Sequence, residues 1–321
     1  MLVVKIFFGN RSGVLLLLPL LIVIYVACNW FLGHHLPEPS GFGFWGELLN
    51  EDKLLGRIAA PVLILLNAIL LNNIFNRNGF MEKNNYVSSL LYVVCKSFFH
   101  SFYFLSGFGI AETLLILALF QLYKLDQNTD GRRAVFNASF LIGLGATFYP
   151  IMITCIPFLF SMIWVLRPFI FRESALAVIG FALPLVYGGY YGSLYGIKLN
   201  GESFTSSSHE MVLPDLFVVG GGILLLTFAG MVPWLKKLGQ SSIRLKKLFR
   251  LNLLLSLYIV LLATLEFFAY GKIEAISLLI GILILFLPYA FGDGKLRSVP
   301  SVVFYLVFFF SVSKFFISFD F

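Results

Sequence analysis

From Val14 to Leu32 the chain carries no charged side chain, and runs of the same kind recur to its end. About 20 predominantly apolar residues cross the hydrocarbon core of a bilayer as one helix. On that measure the sequence predicts spans at 14–33, 58–76, 87–107, 109–123, 135–149, 151–166, 174–194, 215–235, 250–270, 275–291 and 300–318. Composition agrees. Of 321 residues, 59% are hydrophobic and 12% charged, against roughly 25% charged residues in soluble domains. So few charges could not cover a soluble surface of this size. The 37 phenylalanines suit helix surfaces that face lipid, where apolar exposure carries no cost. The expectation is an all-α polytopic transmembrane bundle of eleven spans, forming a single integral membrane domain over residues 1–321 with no soluble domain.

The net charge of +7 could indicate nucleic acid. The placement of the basic residues argues against such a partner, because they sit in short loops between apolar runs. With the N-terminus in the cytoplasm, seventeen of the 23 lysines and arginines face the cytoplasm, and four (Lys53, Arg57, Lys198 and Lys272) face the other side. That bias is the positive-inside signal. It predicts cytoplasmic loops at 77–86, 124–134, 167–173, 236–249 and 292–299. The stretch 134–166 holds 33 uncharged residues around Pro150, long for one span and short for two. Read as one span, with 87–123 merged in compensation, it gives nine spans. The first run, flanked by Lys5 and Arg11, predicts an uncleaved signal anchor, since a signal-peptide core is only about 7–15 residues.

Ionisable residues inside a membrane are costly and mark candidate sites. Lys96 falls mid-span, with His100 one turn later on the same expected face. Glu112 lies across a short turn containing Gly107 and Gly109, so Lys96 and Glu112 are expected within about 4–6 Å of each other, because a pair costs far less than either charge alone. The pair reads either as a helix-fixing contact or as part of a polar cavity. Glu266 reads as snorkelling to the interface. Asn67 and Asn72 fall in an apolar run and read as hydrogen-bonding across helices.

The first outer loop, GHHLPEPSGFGFWGELLNEDKLLGR, contains His35, Glu38 and Asp52. Glu38 is stiffened by Pro37 and Pro39. Asp52 lies beside Glu51, and like charges this close raise each other's proton affinity, which suits a general base. Apolar residues between Phe44 and Leu55 predict a short amphipathic helix on the membrane surface. Tyr187, Tyr190, Tyr191 and Tyr195 crowd the outer end of the seventh span, as an aromatic belt or a platform for a sugar. On the other side Lys236, Lys237, Arg244, Lys246, Lys247 and Arg250 predict contact with anionic lipid headgroups. Cys28, Cys95 and Cys155 lie in apolar runs and read as buried small hydrophobes, so neither a disulfide framework nor a zinc site is expected. No P-loop, HExxH or GxSxG occurs, and no cofactor motif is evident.

The stretches LNAILLNNIFNRNGFMEKNNYVSSLLYVV and AVFNASFLIGLGATFYP resemble an uncharacterised family of multi-pass inner-membrane proteins from Bacteroidota. The resemblance implies a bacterial inner-membrane location. A more distant likeness is to the GT-C glycosyltransferases, which use polyprenyl-phosphate sugars and place an acidic residue in the first outer loop before an interfacial helix. Glu38, or the Glu47/Glu51/Asp52 cluster, occupies the comparable place. That likeness implies a lipid-linked substrate in envelope biogenesis, with a loop carboxylate acting as general base or holding a divalent metal. A non-catalytic membrane scaffold or assembly factor, and a transporter, stay open beside it. No internal repeat of the kind transporters carry is visible.

Overall fold

The computed structural model describes residues 2–9, 12–32, 43–45, 53–125, 130–194, 213–270, 274–292 and 298–316. Among them all regular structure is helical. The helices are α1 (Leu2–Phe7), α2 (Leu17–Leu32, entered through a 3-10 turn at Ser12–Leu16), α3 (Lys53–Arg77), α4 (Val87–Lys96), α5 (Gly107–Leu122) and α6 (Arg132–Phe148). They continue as α7 (Ile156–Leu166, entered through a 3-10 turn at Pro150–Cys155), α8 (Phe171–Leu194), α9 (Leu213–Gln240), α10 (Ile243–Tyr270), α11 (Ile276–Leu283) and α12 (Ser298–Ser313). Among the described residues five segments are long and apolar enough to cross a membrane: Gly13–Leu32, Leu55–Arg77, Phe171–Leu194, Val218–Gln240 and Ile243–Phe268. These are the features of a helical membrane protein.

The expected span 87–107 is not one helix. α4 stops at Lys96, the chain turns through Phe99 and a 3-10 turn at His100–Phe102, and α5 starts at Gly107. Ser106 caps α5 by accepting from the Gly109 N–H at 3.1 Å. The turn brings Glu112 back to Lys96. Around Pro150 the chain breaks as well. Proline has no N–H to donate and suits the first turn of a helix. α6 packs between α5 and α8, whereas α7 packs on α10, so the two segments diverge into different layers.

The closest crossing joins α6 and α8. A Cβ on Gly143 would lie 2.3 Å from the Phe181 carbonyl oxygen, and one on Gly180 would lie 2.9 Å from that of Phe136. Glycine lets the two backbones touch, the usual route to tight helix packing where no hydrophobic force drives association. Pro61, Pro184 and Pro233 sit inside α3, α8 and α9. Prolines inside helices are tolerated where neighbouring helices satisfy the freed carbonyls.

Contacts sort the turns into two ends. At one end the Tyr86 N–H donates to the Phe7 carbonyl at 2.7 Å, and Lys237 pairs with Glu82 at 3.1 Å. Arg244 donates to the Tyr123 carbonyl there, and Lys247 to that of Leu166. Gly131 packs against Arg167 and Glu173 in the same end. At the other end Tyr25 bonds Ser311 at 2.6 Å, and the Leu105 N–H donates to the Gly56 carbonyl at 3.1 Å. Trp45 donates to Thr147, and Tyr149 to Glu266.

Candidate functional site

The bundle core is built around one ion pair. Lys96 is fully buried and Glu112 is 2% exposed, and the Lys96 Nζ lies 2.6 Å from Glu112 Oε2. The pairing expected from sequence is therefore present. Glu112 Oε1 accepts from the Tyr92 hydroxyl at 3.1 Å, and that hydroxyl accepts from Asn67 Nδ2 at 3.2 Å. Lys96 also donates to Ser277 Oγ at 3.2 Å. Glu112 Oε1 thus receives a hydrogen bond, Oε2 has the ammonium as its ion-pair partner but no hydrogen bond, and the ammonium has Ser277 as an acceptor. The phenyl faces of Phe99 and Phe108 lie 5.5 and 5.4 Å from the ammonium, in the range of cation–π attraction. α11 packs on this group at Gly281, where a Cβ would be in ordinary contact with Glu112 Oε1 at 3.5 Å. Five elements meet at these side chains, namely α3, α4, α5, α11 and the turn at Phe99. A buried pair with so many added hydrogen bonds repays the desolvation of its charges.

His100 does not join this pair as a helical neighbour. α4 has already ended, and the imidazole stacks on Phe104 with ring centroids 4.8 Å apart. Asn67 does bond across helices, as expected.

Glu266 corrects another expectation. It does not snorkel: it is 1% exposed. Its Oε1 accepts from the Tyr149 hydroxyl, and its Oε2 accepts from the Ala275 N–H at 2.8 Å. Phe108 meets the Tyr149 ring edge-on at 5.3 Å. A run of buried polar contacts therefore extends from Glu266 through the start of α11 to Lys96 and Glu112. A carboxylate near a helix end reads as interfacial in sequence, and only the return of 274–276 over it creates the buried acceptor site.

Glu38, Asp52 and His35 lie outside the described residues. The same loop is nevertheless anchored at Gly43–Trp45, a 3-10 turn, and Lys53–Leu55 form the first turn of α3; residues 46–52 of the expected amphipathic helix lie outside the described residues. The Trp45 indole donates to Thr147 Oγ1 at 2.9 Å and stacks on Tyr191 at 5.0 Å and Phe148 at 6.1 Å. Gly43 has φ +58°, and a Cβ there would lie 2.3 Å from the Thr147 carbonyl oxygen. Glycine alone fits both that conformation and that approach. The turn thus clips the loop onto the ends of α6 and α8. The GFGFWG stretch held the signal, but nothing in it names the partner.

The basic set at 236–250 is a tight helical corner, not a loop. α9 runs to Gln240 and α10 starts at Ile243, because lysine, arginine and leucine favour helix and only Ser241–Ser242 breaks it. Lys237, Arg244 and Lys247 are engaged with Glu82 and with the carbonyls of Tyr123 and Leu166, respectively. Lys236 and Arg250 are exposed and Lys246 half-buried. A second buried pair went unread in sequence. Arg167 Nη1 lies 3.3 Å from Glu173 Oε1, both side chains under 10% exposed. Two charges six residues apart between apolar runs were its available signal.

Among the described residues no group of three or more His, Cys, Asp or Glu is placed to hold a metal. The three cysteines are free thiols, with Cys95 and Cys155 buried. In class, then, the described residues form an all-helical bundle with membrane-crossing features and a buried polar cluster at its core. No family model, curated protein or solved structure matches it.

Proposed function

We propose that the chain is an eleven-pass bacterial inner-membrane protein with a cytoplasmic N-terminus. In this reading it handles a lipid-linked amphipathic substrate at its non-cytoplasmic face, in envelope biogenesis. The pass count is supported by the contact of Gly131 with Arg167 and Glu173. A nine-pass chain would put those two turns on opposite faces, about 30 Å apart. The inward orientation is supported by the loop cations.

The observation that carries the substrate reading is the Trp45 clip. It holds Gly43–Trp45 of the first outer loop against Thr147 and Phe148 of α6 and Tyr191 of α8. An exposed aromatic face at a loop whose sequence is rich in carboxylates suits a polar headgroup whose apolar chain stays in the bilayer. A GT-C-like transfer would use Glu38 or Asp52 as general base, with His35 as a further candidate or as part of a divalent-metal site. The test is binding of a polyprenyl phosphate to the purified full chain, alongside a loss-of-function phenotype at normal membrane abundance. Trp45→Ala should weaken binding, and Glu38→Gln or Asp52→Asn should abolish function. If Glu38→Gln, Asp52→Asn and His35→Asn all keep full function, the transferase reading falls.

The scaffold reading has its own support. Lys96 and Glu112 spend their charges on each other and on neighbouring side chains, as a purely structural core would.

A further inference from the structure

Arg57 is a half-buried cation that meets no carboxylate among the described residues. It stands in the second turn of α3 and continues outward the buried stripe of Ala60, Ile64, Ala68 and Leu71, so its side chain leaves the helix on the core-facing side. The guanidinium lies 5.9 Å from the Trp30 ring of α2 and 5.3 Å from the Phe104 ring in the stretch between α4 and α5. Those rings attract it by cation–π contact but offer it no hydrogen-bond acceptor. Its Nε is buried and has no hydrogen-bond partner. A charge-bearing donor withdrawn from water without an acceptor is costly, so the site is built for a group that supplies one.

The surroundings set the class of that group. Arginine presents five donors in a planar fork that matches a phosphate two bonds at a time. The Leu105 N–H bond to the Gly56 carbonyl at 3.1 Å holds the stretch carrying Phe104 against α3. Ser101, three residues before Phe104, keeps a second buried donor without a partner. The edge of the site faces lipid. Trp30 is 60% exposed, and Phe31, Leu55 and Ile58 are exposed with it. Tryptophan at the end of a membrane helix marks the level of the headgroups. Arg57 also lies about 15 Å along α3 from Asn67, at 1.5 Å per residue, which separates it from the Lys96–Glu112 cluster. An anion at headgroup level, bordered by apolar side chains that face hydrocarbon, is a lipid phosphate.

We propose that Arg57 binds the phosphate of a membrane lipid at the non-cytoplasmic end of the bundle, the lipid's hydrocarbon staying in the bilayer beside α2 and α3. This deepens the headgroup reading above and rests on it for the face and the identity of the lipid. A polyprenyl phosphate and a phospholipid share the group that Arg57 holds.

The test uses the full chain in detergent and two readouts. Native mass spectrometry should show polyprenyl phosphate retained about tenfold over the polyprenol that lacks the phosphate, the size of one hydrogen bond to a charged group. Arg57→Gln should erase that preference and Arg57→Lys should keep part of it. Arg77→Gln, about 30 Å away at the other end of α3, should keep all of it. The second readout is modification by phenylglyoxal, a reagent for arginine side chains, on the unaltered protein, so it holds even if a variant misfolds. Polyprenyl phosphate should shield Arg57 and leave Arg77 reactive, and polyprenol should shield neither. Phosphatidylglycerol and inorganic phosphate are the remaining probes. Shielding by phosphatidylglycerol at a lower concentration than polyprenyl phosphate keeps the site and gives it to bulk phospholipid, which counts against a lipid-linked substrate. Equal shielding by inorganic phosphate overturns the proposal, and so does a preference that persists in Arg57→Gln. Resistance of Arg57 to the reagent with no lipid present overturns it too, by showing the guanidinium already taken. Loss of function in Glu38→Gln beside an unchanged lipid preference in Arg57→Gln would sink this proposal alone and leave the outer-face reading standing.

Discussion

The molecule contains two buried ion pairs that differ in almost everything but their chemistry. Lys96 and Glu112 meet at 2.6 Å in the core, where Tyr92 and Ser277 add hydrogen bonds and only Glu112 Oε2 lacks one. Arg167 and Glu173 meet at 3.3 Å at the end of the bundle, under Gly131, and three atoms there, Arg167 Nε and Nη1 and Glu173 Oε2, have no hydrogen-bond partner. The first pair joins distant elements and organises the helices around it. The second closes one local turn. A buried charge is therefore a fold-defining element here only where several helices supply its partners, and burial alone does not make it one.

The largest expected effect tests that contrast directly. Lys96→Met leaves Glu112 buried and unpaired, which should cost about 3–5 kcal/mol. The double change Lys96→Met, Glu112→Leu should recover much of it. Unfolding in detergent reads both, and additive losses across the cycle would show that the two side chains do not interact. Arg167→Met should cost less, about 1–3 kcal/mol, the penalty for stranding one polar group. Equal losses at Lys96 and Arg167 would break the comparison. Gly131→Ala comes last: its new Cβ would sit 2.2 Å from Arg167 Nη1, 2.9 Å from Glu173 Oε1 and 3.0 Å from Leu125 Cδ2, all far ends of side chains that can shift. A loss of about 1 kcal/mol fits that overpacking, and combining it with Arg167→Met should add little further loss.

The two pairs also differ in how far sequence discloses them. Lys96 stands out because a charge inside an apolar run is rare, and a glycine-bearing turn brings Glu112 back within reach. The helical class and the positions of the apolar segments are equally plain, since hydropathy is a property of local sequence. Arg167 looked like an ordinary loop cation, because a count of loop charges carries no burial. Glu266 misled for the same reason: position along a helix says nothing of the segment that folds over its end. The break of the helix at Lys96 has no local signal, and Ser277, which Lys96 bonds, stands far along the chain. The Trp45 clip depends on Thr147 and Tyr191, which nothing local connects to it.

The contrast between a mid-membrane pair and an interfacial one requires that Gly131, Arg167 and the α9–α10 corner share the cytoplasmic face. Cysteines placed singly at Gln127 and Ser241, with Cys28 replaced by alanine and the two buried thiols retained, report this directly. A membrane-impermeant thiol reagent added to intact cells should label neither position, and both should label after the membrane is opened. Labelling of position 127 from outside while 241 stays protected would put the turns on opposite faces, give nine passes, and contradict the account.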